Sequence, residues 1–452
     1  MPHDRIGGNS VSGRVPPIGD KRKLSSGEGG TGACVSSGMM LGPSTTSPMA
    51  SGYASLLTKR RNGSRSPDPS PNLFANVRNA SRRLISPLWI VTFASICLVV
   101  SGLLVWHTLL RTPPMIWRVP DVCGYKSILY DTNVTQRIPP GNYFIAANVH
   151  DNEKTLPHLL HQLKRVVDII GDPSRVYVSI FESGSTDLSK EWLYMFADVL
   201  DAKNVSNSIV TSDLRRLLHE HRIDFLARVR NKALEPLFQS KQSGFKADYV
   251  LFVNDVFMCA EDLIRLAQRV SLPETDMACG MDFEFDPDHS YSTEITFYDT
   301  WVALDLAGNF LSSMYPFFGR THDRDRLLRS EPVPVFCCWN GMIAVKAAPF
   351  YEGIRFRSES SGCRASECTL FCKDMWNAGH GNILIDPTVA VAYDHAASGH
   401  LAVSPARGIG TFKGDPFAPV KFTEGKPSDF MCHGLSGSGR HPNMVKKRVK
   451  TF

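Results

Sequence analysis

Apolar and polar residues follow three different patterns along the 452-residue chain. Residues 1–87 are rich in Gly, Ser and Pro and contain few large apolar residues. They predict a disordered segment, because too little surface can be buried to offset the entropy of ordering. An uninterrupted apolar run follows at 88–110. From residue 141 onwards, compact apolar runs alternate with segments of helical spacing, which predicts a folded domain over 141–439.

The apolar run predicts a transmembrane helix that acts as a signal anchor. Its 23 residues include no Asp, Glu, Lys or Arg, and at about 1.5 Å per residue they can cross a hydrocarbon core about 30 Å thick. Trp89 and Trp106 lie near its ends, where indole rings favour the membrane interface. A buried core helix is the alternative, but no polar face interrupts the run. Residues 111–140 would then form a stalk.

Charge predicts the orientation of this anchor. The formal net charge is +6, to which residues 1–87 contribute +8 (twelve Lys and Arg against four Asp and Glu) and residues 440–452 contribute +5. Because Lys and Arg are enriched on the cytosolic side, we expect a cytosolic N-terminus and a folded domain in the secretory lumen. Subtracting 8 and 5 from 6 leaves −7 for residues 88–439. An acidic folded domain argues against nucleic-acid binding, and residues 440–452 predict a solvated basic tail.

Nine of the eleven cysteines follow the anchor, and three of them cluster at Cys363, Cys368 and Cys372. This cluster lacks the paired C-x-x-C spacing of zinc sites, so disulfides are expected in an oxidising compartment. Since nine is odd, at least one thiol stays free or pairs between chains. Glycosylation sequons begin at Asn133 and Asn204.

The first half of the folded domain alternates strands with helices. The apolar runs "YFIAANV", "RVYVSIFES" and "DYVLFVND" are each followed by a segment of helical spacing. This order predicts an α/β fold with a mixed, largely parallel sheet. Ligands bind beyond the carboxyl ends of the strands in such sheets. The rule directs attention to Asn148, to 182–187 and to 254–255.

Two of these strand ends carry acidic side chains. Asp255 could hold a hard divalent cation that bridges the phosphates of a nucleotide sugar, whereas a turn Asn-Asp pair is the structural alternative. The string "FESGSTD" offers Glu182, Ser185 and Asp187 beside a helix N-terminus. Such a terminus suits phosphate or ribose hydroxyl groups, and a plain helix cap is the alternative.

Arg230 and Asn231 lie in a predicted helix before the strand that ends at Asp255. Arginine can pair with a diphosphate bidentately, although a solvated helical face has the same pattern. His395 follows another apolar strand and could complete an oxygen and nitrogen metal shell, or be a structural histidine.

Several later residues are further candidates. Asp282 and Glu284 alternate along a strand-like segment, so that both could face one side of the sheet. Glu367 precedes an apolar helix. Trp339 could stack on a sugar ring while Asn340 binds a hydroxyl group.

The chain resembles the fungal α-1,3-mannosyltransferase family that includes the cryptococcal mannosyltransferase and capsule-associated proteins. The resemblance rests on "ANVHDNEKTLPHLL", "FESGSTD", "RNKAL", "LFVNDVF", "CCWNGM" and "ECTLFCKDMW", in this order. It implies a type II Golgi enzyme with a GT-A-like fold that moves mannose from GDP-mannose to an α-mannoside during capsule or cell-surface glycan synthesis. Manganese is the implied metal. "NDV" departs from the D-x-D pattern, because Asn254 replaces one acid.

The resemblance also implies roles for individual residues. Asn148 and Glu182, with the neighbouring Ser185 and Asp187, would bind the nucleoside part of the donor. Arg230 and Asn231 would face the diphosphate. Asp255 and His395 would hold the metal.

Transfer from an α-linked donor to an α-linked product retains configuration, so no base opposite the donor is required. The departing diphosphate would accept the proton of the acceptor hydroxyl, while Glu367 or Asp282 would orient the acceptor or an oxocarbenium-like sugar. A catalytically inactive lumenal protein that binds glycan or serves as a scaffold for capsule assembly is the alternative function, which the missing acid at Asn254 leaves open.

Overall fold

The computed structural model describes residues 87–111, 123, 137–239, 244–285, 295–359, 363–403, 417–435 and 444–451. The predicted cytosolic tail before Pro87 and most of the predicted stalk, with the sequon at Asn133, lie outside these residues. The chain divides into two compact units, Met1–Ala94 and Ser95–Phe452. All the strands below belong to the second unit.

Helix α1 (Pro87–Arg111) coincides with the apolar run at 88–110. Its large apolar side chains between Val91 and Val105 are exposed. Within the described ranges, we find no helix with both the length and the apolar character needed to cross a membrane. The transmembrane anchor therefore stays a prediction.

Ten strands of the described chain form one mixed sheet in the order β3-β2-β1-β4-β9-β5-β10-β8-β7, with β6 paired to β5. The strands are β1 (Tyr143–Val149), β2 (Val176–Ser183), β3 (Ser206–Ser212), β4 (Tyr249–Val253), β5 (Met277–Phe285), β6 (Ile295–Phe297), β7 (Leu304–Asp305), β8 (Val333–Cys337), β9 (Met342–Lys346) and β10 (Ile383–Ala392). Only β6, β8 and β9 run against the other seven. The predicted α/β fold with a mixed, largely parallel sheet is confirmed.

Helices cover both faces of this sheet. They are α2 (Leu156–Ile170), α3 (Ser189–Ala202), α4 (Arg222–Ala233), α5 (Glu235–Phe238), α6 (Ala260–Ser271), α7 (Thr321–Leu328), α8 (Ala348–Tyr351), α9 (Glu367–Asn377) and α10 (His395–Val403). Helices α2, α3 and α6 pack on one face, and α4 and α9 on the other. The sheet is thus the middle layer of three.

The strands that carry the site are buried on both faces. In β1, Phe144 and Ala146 join one apolar core, while Tyr143, Ile145 and Ala147 join the other. A strand covered on both sides has no polar face, which explains its continuous apolar sequence.

Strands β1, β2 and β4 end at the same edge of the sheet. The parallel pairing sets Val149 opposite Glu182 and Ala147 opposite Val253. The loops that follow these strands are therefore neighbours, as the rule for ligand sites at strand ends requires.

A C-terminal hairpin replaces the expected tail. Strand β11 (Asp429–Leu435) pairs antiparallel with β12 (Met444–Lys450), and β12 lies in the range predicted as a solvated basic tail. Arg448 pairs with Asp429 across the two strands. Backbone pairing and this ion pair therefore order residues 444–450, for which the sequence composition indicated only a high charge.

Four disulfides form among the cysteines after the anchor: Cys123–Cys259, Cys279–Cys338, Cys337–Cys372 and Cys363–Cys432. Two members of the predicted cluster, Cys363 and Cys372, are therefore in disulfides. Cys368 is a buried free thiol, and burial raises its pKa well above the usual value. The expectation of disulfides with one unpaired thiol is confirmed.

A buried charged triad joins α6 to β10. Nε atoms of Arg265 and Arg269 lie 3.1 and 2.8 Å from Oδ2 of Asp386. Thr388 donates its backbone N–H to the other carboxylate oxygen at 3.0 Å. Although burial favours the protonated acid, the two arginines hold the pKa of Asp386 below its usual value.

We predict that Asp386→Ala lowers the free energy of unfolding by about 3–5 kcal/mol, because removing one partner leaves buried charge uncompensated. The carboxylate's contribution is complete above pH about 4 and is lost as the pH falls, since its folded-state pKa is depressed. Urea unfolding at pH 7 measures the change. Glu331→Ala, which removes an exposed pair with Arg329, is the matched control and should cost less than about 1 kcal/mol. Equal effects of the two substitutions would contradict the triad's role.

Candidate active site

The loops after β1 and β2 are hydrogen-bonded to each other. Asp151 Oδ1 accepts the backbone N–H of Thr186 at 2.7 Å, and Asp187 Oδ2 accepts that of Glu153 at 2.9 Å. In return, Ser185 Oγ accepts the backbone N–H of Asp151 at 3.0 Å. The two loops form one rigid rim along the sheet edge.

Glu182 fixes the base of this rim. It is fully buried, its Oε1 accepts the backbone N–H of Ser185, and its Oε2 accepts that of Ser212 at 3.0 Å. Asp187 also receives the backbone N–H of Ser189 on its Oδ1, at 3.0 Å. The acidic and hydroxyl side chains predicted to bind a nucleoside are thus engaged by backbone amides. Of these amides, only that of Ser189, bonded to Asp187, belongs to α3, as the helix-cap alternative requires.

The two asparagines predicted to line the donor site differ in their contacts. Asn231 donates to the carbonyl of Phe356 at 2.8 Å and accepts its N–H at 3.1 Å, so both ends of its amide hold one backbone segment. Asn148 donates to the carbonyl of Val229 at 2.8 Å. Its Oδ1 is buried, and no described residue donates to it. Asn148 therefore keeps an acceptor for a ligand N–H or O–H group.

Arg230 is the central side chain of the site. It is only 9% exposed, its Nε donates to Glu367 Oε1 at 2.9 Å, and its Nη1 donates to Asn254 Oδ1 at 3.2 Å. No described residue accepts a hydrogen bond from Nη2. The guanidinium is thus fixed by two bonds, and both N–H groups of Nη2 remain available to a ligand.

Aromatic rings surround this guanidinium. Its carbon lies 4.5 Å from the ring centroid of Trp339, 5.3 Å from that of Phe252 and 5.6 Å from that of Phe356. Trp339 is 2% exposed, so its face is not available to a sugar. Its role as a sugar platform was predicted wrongly, because the ring stacks on a cation that the sequence pattern could not place.

Asn254 connects the residues around Arg230. Its Oδ1 also accepts the indole N–H of Trp339 at 3.1 Å, and its Nδ2 donates to the hydroxyl of Tyr393 at 3.0 Å. An amide can accept and donate at once, which a carboxylate cannot. The asparagine in "NDV" is therefore an organising residue, and its oxygen faces a guanidinium cation.

The two predicted metal ligands lie on adjacent segments. Asp255 is half-buried, and its Oδ2 accepts from Asn152 Nδ2 at 2.7 Å. His395 is exposed, with its ring edge-on to Phe257 at 5.9 Å. Phe257 and Ala392 exchange backbone hydrogen bonds of 2.8 and 3.0 Å, which hold the segments carrying Asp255 and His395 side by side.

These residues fit a metal that the substrate helps to bind. In the described part of the chain, no group of three or more His, Cys, Asp or Glu residues is arranged around a common point. Asp255 retains its Oδ1, to which no described residue donates. Magnesium-like cations are commonly bound by one or two carboxylates together with substrate phosphates, and this donor set matches that arrangement.

Two carboxyl groups lie close together at Asp282, within β5, and Asp299, after β6. Asp282 is fully buried, its Oδ1 accepts the backbone N–H of Asp299 at 3.1 Å, and no described residue bonds to its Oδ2. Its main-chain carbonyl accepts the N–H of Tyr298 at 3.0 Å. Asp282 therefore holds the segment after β6.

Asn340 is hydrogen-bonded to β5 and to Asp299, the same segments that Asp282 connects. Its Nδ2 donates to the carbonyl of Gly280 at 2.8 Å, and its backbone N–H donates to Asp299 Oδ2 at 3.2 Å. Asn340 is fully buried. The prediction that it binds a sugar hydroxyl is wrong, because its amide already connects β5 to the turn before β9.

The C-terminal hairpin holds the segments that carry these residues. Trp301 Nε1 donates to the carbonyl of His433 at 2.7 Å, and Leu435 N–H donates to the carbonyl of Arg364 at 3.1 Å. His221, which caps α4, lies 3.1 Å from the carbonyl of Leu435. The starts of α4 and α9 and the segment after β6 are thus anchored on one hairpin.

A family model described as cryptococcal mannosyltransferase 1 matches residues 142–374, which is more than half of the chain. The chain belongs to the cryptococcal mannosyltransferase 1 family. The matched range includes Arg230, Asn254, Trp339 and Glu367, so the whole network around the guanidinium lies inside it. The family inferred from the sequence strings is confirmed.

The chain is similar to the α-1,3-mannosyltransferase CMT1 of Cryptococcus neoformans var. neoformans serotype D (strain JEC21 / ATCC MYA-565). The two chains are 29% identical over 283 residues, which cover 57% of this chain and 59% of that protein. The chain thus matches less than two thirds of the relative's length.

Solved structures give only distant matches. GalNAc-T7 with UDP, GalNAc and Mn2+ has a TM-score of 0.35 at 12% identity, covering 56% of this chain and 43% of that one. Mannosyltransferase PcManGT from Pyrobaculum calidifontis with GDP-Man and Mn2+ has a TM-score of 0.33 at 11% identity, covering 56% of each chain.

Three residues of the candidate site were not predicted from the sequence: Tyr298, Asp299 and Tyr393. Each follows a strand of the sheet, β6 for the first two and β10 for the third. Because β10 runs parallel to β5, the rule for carboxyl strand ends contained a signal for Tyr393. It gives none for Tyr298 and Asp299, because the three-residue strand β6 runs antiparallel to β5.

Burial raises the pKa of Asp282 well above its usual value, and the negative charge of Asp299 adds to this shift. Burial also raises the pKa of Asp299 to about 6. Asp282 therefore stays protonated in conditions in which an ordinary aspartate is charged.

We predict that Asp282→Asn changes how stability depends on pH. In the natural protein the unfolded chain releases this proton near pH 4 while the folded chain keeps it, so stability falls as the pH rises. The amide removes this slope. The difference in free energy of unfolding between the variant and the natural protein should therefore shift in favour of the variant by at least about 1 kcal/mol from pH 4 to pH 7. Any constant packing cost of the amide cancels in this comparison.

Urea unfolding at both pH values measures the gain. Asp172→Asn is the matched control, because Ser174 lowers the pKa of that exposed carboxyl and its removal should shift the slope in the opposite direction. Parallel pH profiles of Asp282→Asn and the natural protein would show that Asp282 is ionised in the folded state.

Proposed function

We propose that this protein is a glycosyltransferase that moves mannose from GDP-mannose to an α-mannoside and forms an α-1,3 linkage with retention. The family match over 142–374 carries the proposal, because it encloses Arg230 with its partners Glu367, Asn254 and Trp339 and the ends of β1, β2 and β4. The name of the relative, α-1,3-mannosyltransferase, supports the reaction and linkage. The three-layer α/β arrangement with a site at strand ends is consistent with a GT-A-like fold.

The donor diphosphate would lie against Arg230. Its Nη2 is the guanidinium donor that no described residue uses, and its other nitrogens are held by Glu367 and Asn254. Surrounding aromatic rings lower the local dielectric, which strengthens the attraction between the guanidinium and phosphate oxygens. Asn148 Oδ1, a buried acceptor, is available to the nucleoside part of the donor.

The transfer would be a displacement on the front face of the donor sugar. The bond between C1 and the phosphate oxygen breaks, the acceptor oxygen bonds to C1 on the same face, and the acceptor's proton passes to the departing phosphate. Arg230 stabilises the negative charge that develops on this phosphate. Because the leaving group accepts the proton, no side chain is required as a base opposite the donor.

Asp255 and His395 would hold a divalent metal, with manganese as the proposed ion, and Asn152 would fix the orientation of the carboxylate. When bound, such an ion neutralises charge on the diphosphate. Asp255 is thus the ligand on the β4 side of the cleft, and His395 the ligand on the β10 side.

Two residues predicted to be catalytic act through others in this structure. Glu367 bonds Arg230 through Oε1 and accepts the hydroxyl of Ser366 on Oε2 at 3.2 Å. Asp282 holds Tyr298 and Asp299 through its main-chain and side-chain oxygens. We assign both as positioning residues.

The main test measures transfer of labelled mannose from GDP-mannose to α-mannobiose, with and without Mn2+. We expect Arg230→Lys to lower kcat by about 10²–10³-fold, because lysine cannot make two directed bonds and still reach the phosphate. Arg228→Lys is the matched control. Arg228 lies in the same helix but is exposed and pairs with Glu220, so kcat should change less than about twofold.

Full activity of Arg230→Lys would contradict the assigned role. No transfer from any nucleotide sugar by the natural protein would instead favour the alternative, a glycan-binding scaffold for capsule assembly.

We further propose that residues 88–110 anchor the protein in the Golgi membrane with the folded domain in the lumen. The excess of Lys and Arg before this segment supports the orientation, and four disulfides support an oxidising compartment. Protease added to sealed Golgi vesicles should remove an N-terminal epitope and spare a C-terminal one. The reverse pattern would contradict the orientation.

A further inference from the structure

An exposed aromatic ring stands beside the guanidinium network. Tyr298, in the segment after β6, is 45% exposed. Its ring centroid lies 4.3 Å from that of Tyr393, at an interplanar angle of 45°. In contrast to the buried Trp339, Tyr298 presents ring surface that a ligand can reach.

Tyr298 is held firmly despite this exposure. Its N–H donates to the main-chain carbonyl of Asp282 at 3.0 Å, and its carbonyl accepts the N–H of Thr300 at 2.8 Å. The N–H of Asp299 donates to Asp282 Oδ1 at 3.1 Å. Hydrogen bonds through both adjacent peptide groups fix the backbone that carries the ring, so less freedom is lost when a ligand binds.

The ring also lies close to the reacting groups. Tyr393, its stacking partner, accepts the N–H of Asn254 Nδ2, and Asn254 accepts from Arg230. Two side chains therefore connect Tyr298 to the guanidinium. A ligand on Tyr298 would occupy the position next to the donor's diphosphate.

Charge indicates which ligand this position suits. Burial raises the pKa of Tyr298 most, then the negative charge of Glu284, the carboxyl group of Asp282 and the negative charge of Asp299, while Arg222 acts in the opposite direction. Surroundings of this sign repel a nucleotide's phosphates. A neutral sugar fits them, because its apolar C–H face stacks on an aromatic ring and its hydroxyl groups donate to carboxylates.

We propose that Tyr298, backed by Tyr393 and flanked by Asp299, forms the acceptor subsite and stacks on a mannose ring of the α-mannoside. The choice of sugar rests on the proposed function. Asp299, whose carboxylate is oriented by the N–H groups of Asn340 and Val302, accepts a hydroxyl of this ring.

The test measures binding of α-1,3-mannobiose to the full-length protein in detergent, without donor, by saturation-transfer NMR and calorimetry. Tyr298→Ala should raise Kd about tenfold, the loss expected when an aromatic contact is removed, whereas Tyr298→Phe should leave it unchanged because the ring remains. Tyr194→Ala, which removes an exposed ring from α3, is the matched control. Kd for GDP should stay constant in all three variants.

An unchanged Kd for mannobiose in Tyr298→Ala would overturn the subsite, and so would the absence of mannobiose binding to the natural protein at millimolar concentration. If transfer is observed, the KM for mannobiose should rise about tenfold in Tyr298→Ala with kcat nearly constant. A protein that binds mannobiose through Tyr298 but transfers no mannose would contradict the proposed function and leave the glycan subsite standing.

Discussion

The site depends on keeping one arginine charged inside the fold. Burying a cation is costly unless it is paired and hydrogen-bonded, and Arg230 meets this constraint through Glu367, Asn254 and three aromatic rings. Its partners come from the end of β4, from the turn before β9 and from α9. Fixing the guanidinium therefore fixes the elements that surround it, and the C-terminal hairpin anchors the starts of α4 and α9 from outside.

This constraint divides the cleft by charge. Residues 88–439 carry −7 in all, which follows from +6 minus 8 minus 5, so the domain as a whole does not attract phosphates. The guanidinium creates a local exception at the diphosphate position. Beyond Asn254 and Tyr393, carboxyl groups and an exposed ring suit a neutral sugar. The amide of Asn254 thus connects a position that favours an anion, beside Arg230, to a position that favours a neutral sugar, beside Tyr298. Transfer from an anionic donor to a glycan requires two such neighbouring positions.

The sequence was sufficient for the main strands and their shared edge, because β1, β2 and β4 are continuous apolar runs. It also directed attention to Asp255 and Asn148 by their places at strand ends, and to Arg230 by its place in a helix before β4. The partners of these side chains were not predictable. Arg230 and Glu367 are 137 residues apart, and Trp339 and Asn254 are 85 apart. Only the fold determines that the indole of Trp339 lies on the guanidinium of Arg230, or that Glu182 binds backbone amides. The disulfides were not predictable either, because nine cysteines permit many pairings.

The most direct test of this account is a crystal structure of the protein with bound GDP. We expect a β-phosphate oxygen within about 3 Å of Arg230 Nη2, with the bonds from the guanidinium to Glu367 and Asn254 preserved. A diphosphate bound away from Arg230, or an Arg230 that leaves Asn254 to reach it, would contradict the claim that this network is preorganised for the donor.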